Sequence, residues 1–145
     1  MTPHRTDWAA QPFFRTFGVA VNTTDPSYAR LTVDRGKIQL RGVRASINGG
    51  IVASLAQAAA AVCLQASLDD NEVVGLLQEL TVSYLSSARG EDIVIEARLL
   101  RKGGRIAVLD AEVRDAATNI LNAKVLISYT IHRDETAAET EQPHP

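Results

Sequence analysis

Ile47-Asn48-Gly49-Gly50-Ile51-Val52-Ala53-Ser54-Leu55-Ala56-Gln57-Ala58-Ala59-Ala60-Ala61-Val62-Cys63 decides the fold. A glycine pair opens a run that, at helical pitch, is apolar on nearly every side, with one amide, Gln57, in its middle. A helix apolar all round has to be wrapped by other structure. Gln57 is therefore expected where water is scarce, and a buried amide needs partners. Whether that amide does chemistry or only closes hydrogen bonds is the question on which function turns.

Working outward, the flanks supply the wrapping. Trp8 to about Phe17 predicts a short amphipathic helix (8–16), with Trp8, Pro12, Phe13 and Phe17 on its apolar edge. Phe17 to Asn22 and Tyr28 to Val33 predict two strands around a turn at Thr24-Asp25-Pro26-Ser27. Lys37 to Ala45 reads as an irregular basic loop. Four strands are expected after the helix, the first over Val73 to Leu85. The next sets Ile93, Ile95, Ala97 and Leu99 against Glu96 and Arg98. Lys102-Gly103-Gly104 signals a hairpin into a strand with Ala107, Leu109, Ala111 and Val113 on its dry face. The last sets Leu121, Ala123, Val125, Ile127, Tyr129 and Ile131 against Asn122, Lys124, Ser128 and Thr130. Period-two alternation of this kind marks antiparallel strands with one dry face each, here arranged as a meander. Residues 1–133 form one α+β domain in this reading, and the acidic, proline-ended tail 134–145 is disordered.

Composition narrows the function classes. A chain of 145 residues can bury a proper core in a single domain. Its net charge of -2 speaks against broad nucleic-acid binding, which needs concentrated positive charge. One cysteine, Cys63, excludes an intramolecular disulfide and a multi-cysteine metal site. The run from Ile47 to Leu64, interrupted by Asn48, Ser54 and Gln57, is expected to fall short of a membrane span. Met1 to Asp7 lacks the apolar core of a signal peptide. A cytoplasmic protein without membrane or nucleic-acid partners is the expectation. No histidine-based metal site or Ser-His-Asp arrangement is readable, since His4, His132 and His144 all lie near the termini.

The element order, with Asn48-Gly49-Gly50 leading the helix, resembles the hotdog fold, and more narrowly the PaaI-like acyl-CoA thioesterases within it. That family opens its helix with His-Gly-Gly, four variable residues, a leucine, one more residue and an aspartate. Here the frame reads Asn48, Gly49, Gly50, then Leu55, Ala56, Gln57. Leu80 to Asp92 is similar to the family's strand and turn, with Ser87 where a proline is usual, and Lys102 to Ala107 matches its hairpin. The resemblance spans roughly Phe17 to Ile131. It implies a homodimer or a homotetramer built as a dimer of dimers. It also implies an acyl-CoA ligand whose coenzyme A moiety belongs to the substrate, with no separate cofactor and no metal. The departures fall on the chemistry: position 57 should carry a carboxylate acting as base or nucleophile, and Gln57 cannot accept a proton at neutral pH.

Each candidate has a chemical and a plain reading. The backbone N–H groups at Gly49 and Gly50 can polarise a thioester oxygen, helped by the helix dipole, or simply serve a tight turn into a crowded helix. Asn48 faces the ligand or caps the helix. Gln57, two turns beyond Gly50 with Ser54 between them, positions water or bonds backbone. Glu79 is the candidate displaced base, against an ordinary solvated strand carboxylate. Arg89, Arg101, Lys102 and Arg105 could hold phosphates, against ordinary turn charge. Cys63 is expected to be inert core. Three functions stay open: an acyl-CoA thioesterase with an altered site, an acyl-CoA or acyl-ligand binding protein that lost its base, and a structural subunit whose partner supplies the acid.

Overall fold

A computed structural model of the chain describes residues 6–34, 46–88 and 92–133. Helix α2 (Gly49–Ala66) runs 18 residues along one face of a six-stranded antiparallel sheet. The strands are β1 (Val19–Asp25), β2 (Tyr28–Asp34), β3 (Glu72–Tyr84), β4 (Asp92–Lys102), β5 (Ile106–Asp115) and β6 (Leu121–Arg133). A 3-10 turn, Trp8–Ala10, and α1 (Pro12–Thr16) precede them, so the single N-terminal helix expected from the sequence is two pieces. Pro12 is the cause: it opens α1 and cannot donate the hydrogen bond that a continuous helix would need there.

The dry faces are those the alternation predicts. Ile93, Ile95 and Ala97 of β4, Ala107, Leu109, Ala111 and Val113 of β5, and Ala123, Val125 and Ile127 of β6 are all fully buried. Leu55, Ala56, Ala59, Ala60, Val62, Cys63 and Leu64 of α2 close against them. Alanines on both sides let the helix backbone approach the sheet, and the larger aliphatics fill the gaps at close-packed density. Each fully buried Leu, Ile or Val contributes about 1.5–3 kcal/mol.

Three expectations change. The sheet order is β1-β2-β4-β5-β6-β3, so β4, β5 and β6 form a meander but β3 does not join it. β2 takes the place beside β4, and β3 crosses to pair with β6, leaving a 13-residue strand on the open edge. By length and composition α2 could cross a membrane, with a mean hydropathy of 1.5. Its apolar surface is instead used inside the fold, half of it buried against the sheet. Asn122, expected on the wet side of β6, is buried at 1 % exposure. Val113 pairs with Ala123 and the next residue, Arg114, pairs with Leu121, so Asn122 is the extra residue of a β-bulge. A bulge breaks the alternation and re-aims a side chain. The loop around 37–45 and the tail 134–145 lie outside the described residues.

The β3 edge is irregular as well. Its register with β6 shifts twice between Val74 and Glu79. Leu76 N–H donates to the Thr130 side-chain oxygen, 2.8 Å, instead of a β6 carbonyl. A Cβ on Gly75 would collide with Thr130 and the His132 ring, so only glycine lets the bulged strand lie this close.

Candidate active site

The start of α2 is tied from three sides. Asn48 is its N-cap, accepting the Gly50 N–H on Oδ1 at 2.8 Å, while its carbonyl accepts from Ile51 and Val52. Tyr84 Oη, at the end of β3, donates to the Gly49 carbonyl. A Cβ on Gly49 would lie 3.2 Å from the Tyr84 ring, which explains a residue without a side chain there. Ile47 N–H donates to Ala88 O, fastening the approach to α2 onto the segment after β3. A cleft of about 460 Å³ lies between the start of α2, Tyr84 and residues 85–88.

From this end a half-buried stripe runs along α2, with Ser54 and Gln57 one and two turns down from Gly50. The Ser54 hydroxyl turns back to the Gly50 carbonyl, 2.9 Å, so it is already engaged. The Gln57 side chain interacts with the Tyr129 hydroxyl, which lowers the phenol's pKa against the larger effect of burial. The Gln57 backbone carbonyl accepts from Tyr129 Oη at 3.3 Å. Burial is the main influence on the Tyr129 phenol and pushes its pKa up, keeping it neutral at physiological pH. Asn48, Gly49, Gly50, Ser54 and Gln57 thus stand together on one helix.

The other candidates stand apart. Leu80 and Val82 pack toward the core, so Glu79, a strand neighbour of Leu80, lies on the opposite face of the sheet, its carboxylate taking a 3.3 Å contact from Thr81. The displaced-base role is therefore not supported within one protomer: a whole sheet separates Glu79 from Gln57. Lys102 is committed elsewhere, to buried Glu72 at 2.8 Å and to Asp69 at 3.8 Å. Glu72 and Asp69 follow the C-terminus of α2, about 27 Å of helix from Asn48. Arg105, exposed on the same β4–β5 hairpin, shares that distant end. Among the described residues Lys102 and Arg105 of the expected cationic cluster stand together on the β4–β5 hairpin, away from the α2 N-terminus. Arg89 lies outside the described residues. Cys63 is fully buried, its thiol pushed by desolvation up to about 11, as befits inert core. Among the described residues no group of His, Cys, Asp or Glu could hold a metal ion.

The Glu72–Lys102 pair supplies a pH prediction. Burial pushes the Glu72 carboxyl up, but hydrogen bonds from Lys102 and the Asp69 N–H, with the charge of Lys102 and Arg133, outweigh it and hold it below its ordinary value. A depressed carboxylate contributes stability that is present above its unfolded pKa, about 4.3, and lost as pH falls through the folded value. Thermal melts of wild type should be level near neutrality and fall in acid. Lys102→Met, which strands a buried carboxylate, should lower the neutral-pH melting temperature and flatten the acid fall.

Sequence reading missed Tyr84, Tyr129 and Asn122. Both tyrosines lie on legible strands, but their bonds to α2 carbonyls depend on how far the helix settles into the sheet. Nothing in the local pattern marks the bulge that buries Asn122.

With this geometry in hand, the comparisons place the chain. Residues 45–121 match the family described as the Thioesterase superfamily. The chain is 30 % identical over 117 residues to the medium/long-chain acyl-CoA thioesterase YigI of Escherichia coli K12, covering 72 % of this chain and 76 % of that protein. The YigI protein of Salmonella typhimurium is 29 % identical over the same shares. Among solved structures, the thioesterase HI1161 of Haemophilus influenzae has the same fold, with a TM-score of 0.77 at 13 % identity, over 87 % of this chain and 86 % of that one. Zebrafish thioesterase superfamily member 2 follows with a TM-score of 0.70 at 21 % identity, over 84 % and 88 %. The protein belongs to the thioesterase superfamily, with the hotdog fold.

Proposed function

We propose that this protein hydrolyses acyl-CoA thioesters along the α2 stripe from Asn48 to Gln57. The observation that carries the reading is the Gln57 amide, half-buried two turns below the glycine pair and beside the Tyr129 hydroxyl, in a thioesterase-family fold. Gly50 N–H is the donor for the thioester oxygen, and because Asn48 Oδ1 holds it, the substrate oxygen has to displace that amide. The Gln57 oxygen accepts a hydrogen bond from the attacking water and orients it. Water adds to the carbonyl carbon, the C–S bond then breaks, and the thiol of coenzyme A leaves. Among the described residues no carboxylate is placed beside Gln57, so turnover is slow, since a general base typically contributes 10²–10⁴-fold. The same missing base favours a second reading, in which the protein binds acyl-CoA without hydrolysing it.

A homodimer through the β3 edge fits this site. An open strand of 13 residues, with Leu76 71 % exposed, is a template for pairing with a second copy. A dimer of dimers is a further step on the same principle. A second subunit is also the route by which Lys102 or Arg105 could reach coenzyme A phosphates, given their distance from Asn48 within one protomer. The cytoplasm, where acyl-CoA is met, is the proposed location.

The test is hydrolysis and binding of acyl-CoA thioesters of graded chain length. Slow turnover supports the thioesterase reading; binding without turnover supports the second; no binding discards both. Light scattering should give twice the monomer mass for wild type and a lower mass for Leu76→Asp.

A further inference from the structure

Resting on the acyl-CoA reading above, we infer that Tyr84 is a positioning residue for Gly50 N–H, the donor to the thioester oxygen. Its hydroxyl bonds the Gly49 carbonyl and so holds the Gly49–Gly50 peptide and strengthens the N–H at its other end. That carbonyl and that N–H belong to one planar peptide unit. Tyr84 Oη donates to the carbonyl, and Asn48 Oδ1 accepts from the N–H at 2.8 Å.

The helix itself does not call for the tyrosine bond. At the N-terminus of an α-helix the groups without an intrahelical partner are N–H donors, not carbonyls. A hydroxyl directed at a first-turn carbonyl therefore supplies nothing that the helix lacks there. Its effect is to draw electron density onto that oxygen, which makes the N–H of the same peptide a better donor. The following carbonyl also receives a hydroxyl, from Ser54 Oγ to Gly50 O at 2.9 Å. The N–H paired with it, on Ile51, is already bonded to the Asn48 backbone carbonyl. Gly50 N–H is held instead by the side chain of an exposed residue, which a substrate oxygen can displace.

The fold holds the phenol in place. Its ring lies so close to Gly49 that a Cβ there would come within 3.2 Å of it. Tyr84 pairs with Ala123 of β6, and directly after it Leu85 N–H and Ser86 N–H both donate to Asn122 O, at 2.8 and 3.2 Å. Tyr84, Asn48 and Gly49 all line the cleft, and Tyr84 is 55 % exposed, so this bond is made at the cleft wall and not in the core. When a thioester oxygen takes the place of Asn48 Oδ1, the Tyr84 bond still anchors the peptide. A donor fixed in advance costs no reorganisation as charge develops on that oxygen.

The test uses Tyr84→Phe, which keeps the ring and deletes the donor, with two readouts. In steady-state hydrolysis of acyl-CoA, kcat should fall about three- to tenfold, the scale of one hydrogen bond, with KM unchanged. The second readout is the NMR shift of an acyl-CoA analogue with CH2 in place of the thioester sulfur and carbon-13 at the carbonyl. That carbonyl should move downfield on binding wild type, and less on binding Tyr84→Phe. Replacing Tyr84 with 3-fluorotyrosine, a stronger donor of nearly the same shape, should raise kcat and enlarge the NMR displacement. It decides the question if Tyr84→Phe does not fold. A folded Tyr84→Phe protein with wild-type kcat and NMR shift, or one altered only in melting temperature or KM, overturns the inference. So does a fluorinated protein in which neither readout moves. If wild type binds the analogue but hydrolyses no thioester, the hydrolase reading falls and the NMR comparison alone decides the role of Tyr84. Failure of wild type to bind either acyl-CoA or the analogue ends both.

Discussion

Gln57→Asp is expected to raise acyl-CoA hydrolysis by about 10²-fold or more, the scale on which a positioned general base acts. The substitution keeps the side chain on the half-buried stripe of α2 and exchanges an amide that cannot take a proton for a carboxylate that can. Partial burial raises the pKa of such a carboxylate, which brings it closer to the pH at which a base works best. The ionised form is the active one, so the gain should grow as pH rises through that pKa and level off above it. Glu79→Ala should leave both proteins unchanged, because that side chain lies across the sheet. Steady-state rates over a pH range measure all of this. A folded Gln57→Asp protein that binds acyl-CoA but turns over no faster than wild type would remove position 57 from the chemistry.

The second large effect concerns the fold. Leu55→Ala should cost about 2–5 kcal/mol, since Leu55 has no exposed surface and the close-packed alanines around it cannot collapse into the space. For a chain of this size that lowers the melting temperature on the order of 10 °C. Leu100→Ala, at a position 57 % exposed, should change stability by no more than about 0.5 kcal/mol. Urea titration of both variants gives the comparison. Similar losses at the two positions would mean that α2 is not wrapped in the way its sequence implies.

Much of the candidate site was legible because its proposed members lie on one helix. Asn48, Gly49, Gly50, Ser54 and Gln57 are spaced by helical pitch, and local geometry alone places them together. Even so, the sequence left two roles open for Asn48, and the coordinates show it spent on the Gly50 N–H. Glu79 and the hairpin cations are a different kind of inference. Each required knowing which face of the sheet, or which end of the helix, a distant segment occupies, and nothing local encodes that. Two bulges in β3 stand between the helix and Glu79, and each moves the alternation by which its side chain would be assigned a face.

By itself the sequence determined the wrapped helix, the number of strands and the dry face of each, because periodicity and apolar burial act through neighbours along the chain. Tertiary structure decided that β2 pairs with β4 and that β3 ends on the open edge beside β6. It also decided that Lys102 answers Glu72 and that Asn122 turns inward beneath the cleft. Those outcomes depend on which strands compete for one hydrogen-bonding edge and where a ladder slips by one residue. That competition is settled only when the whole sheet closes over α2.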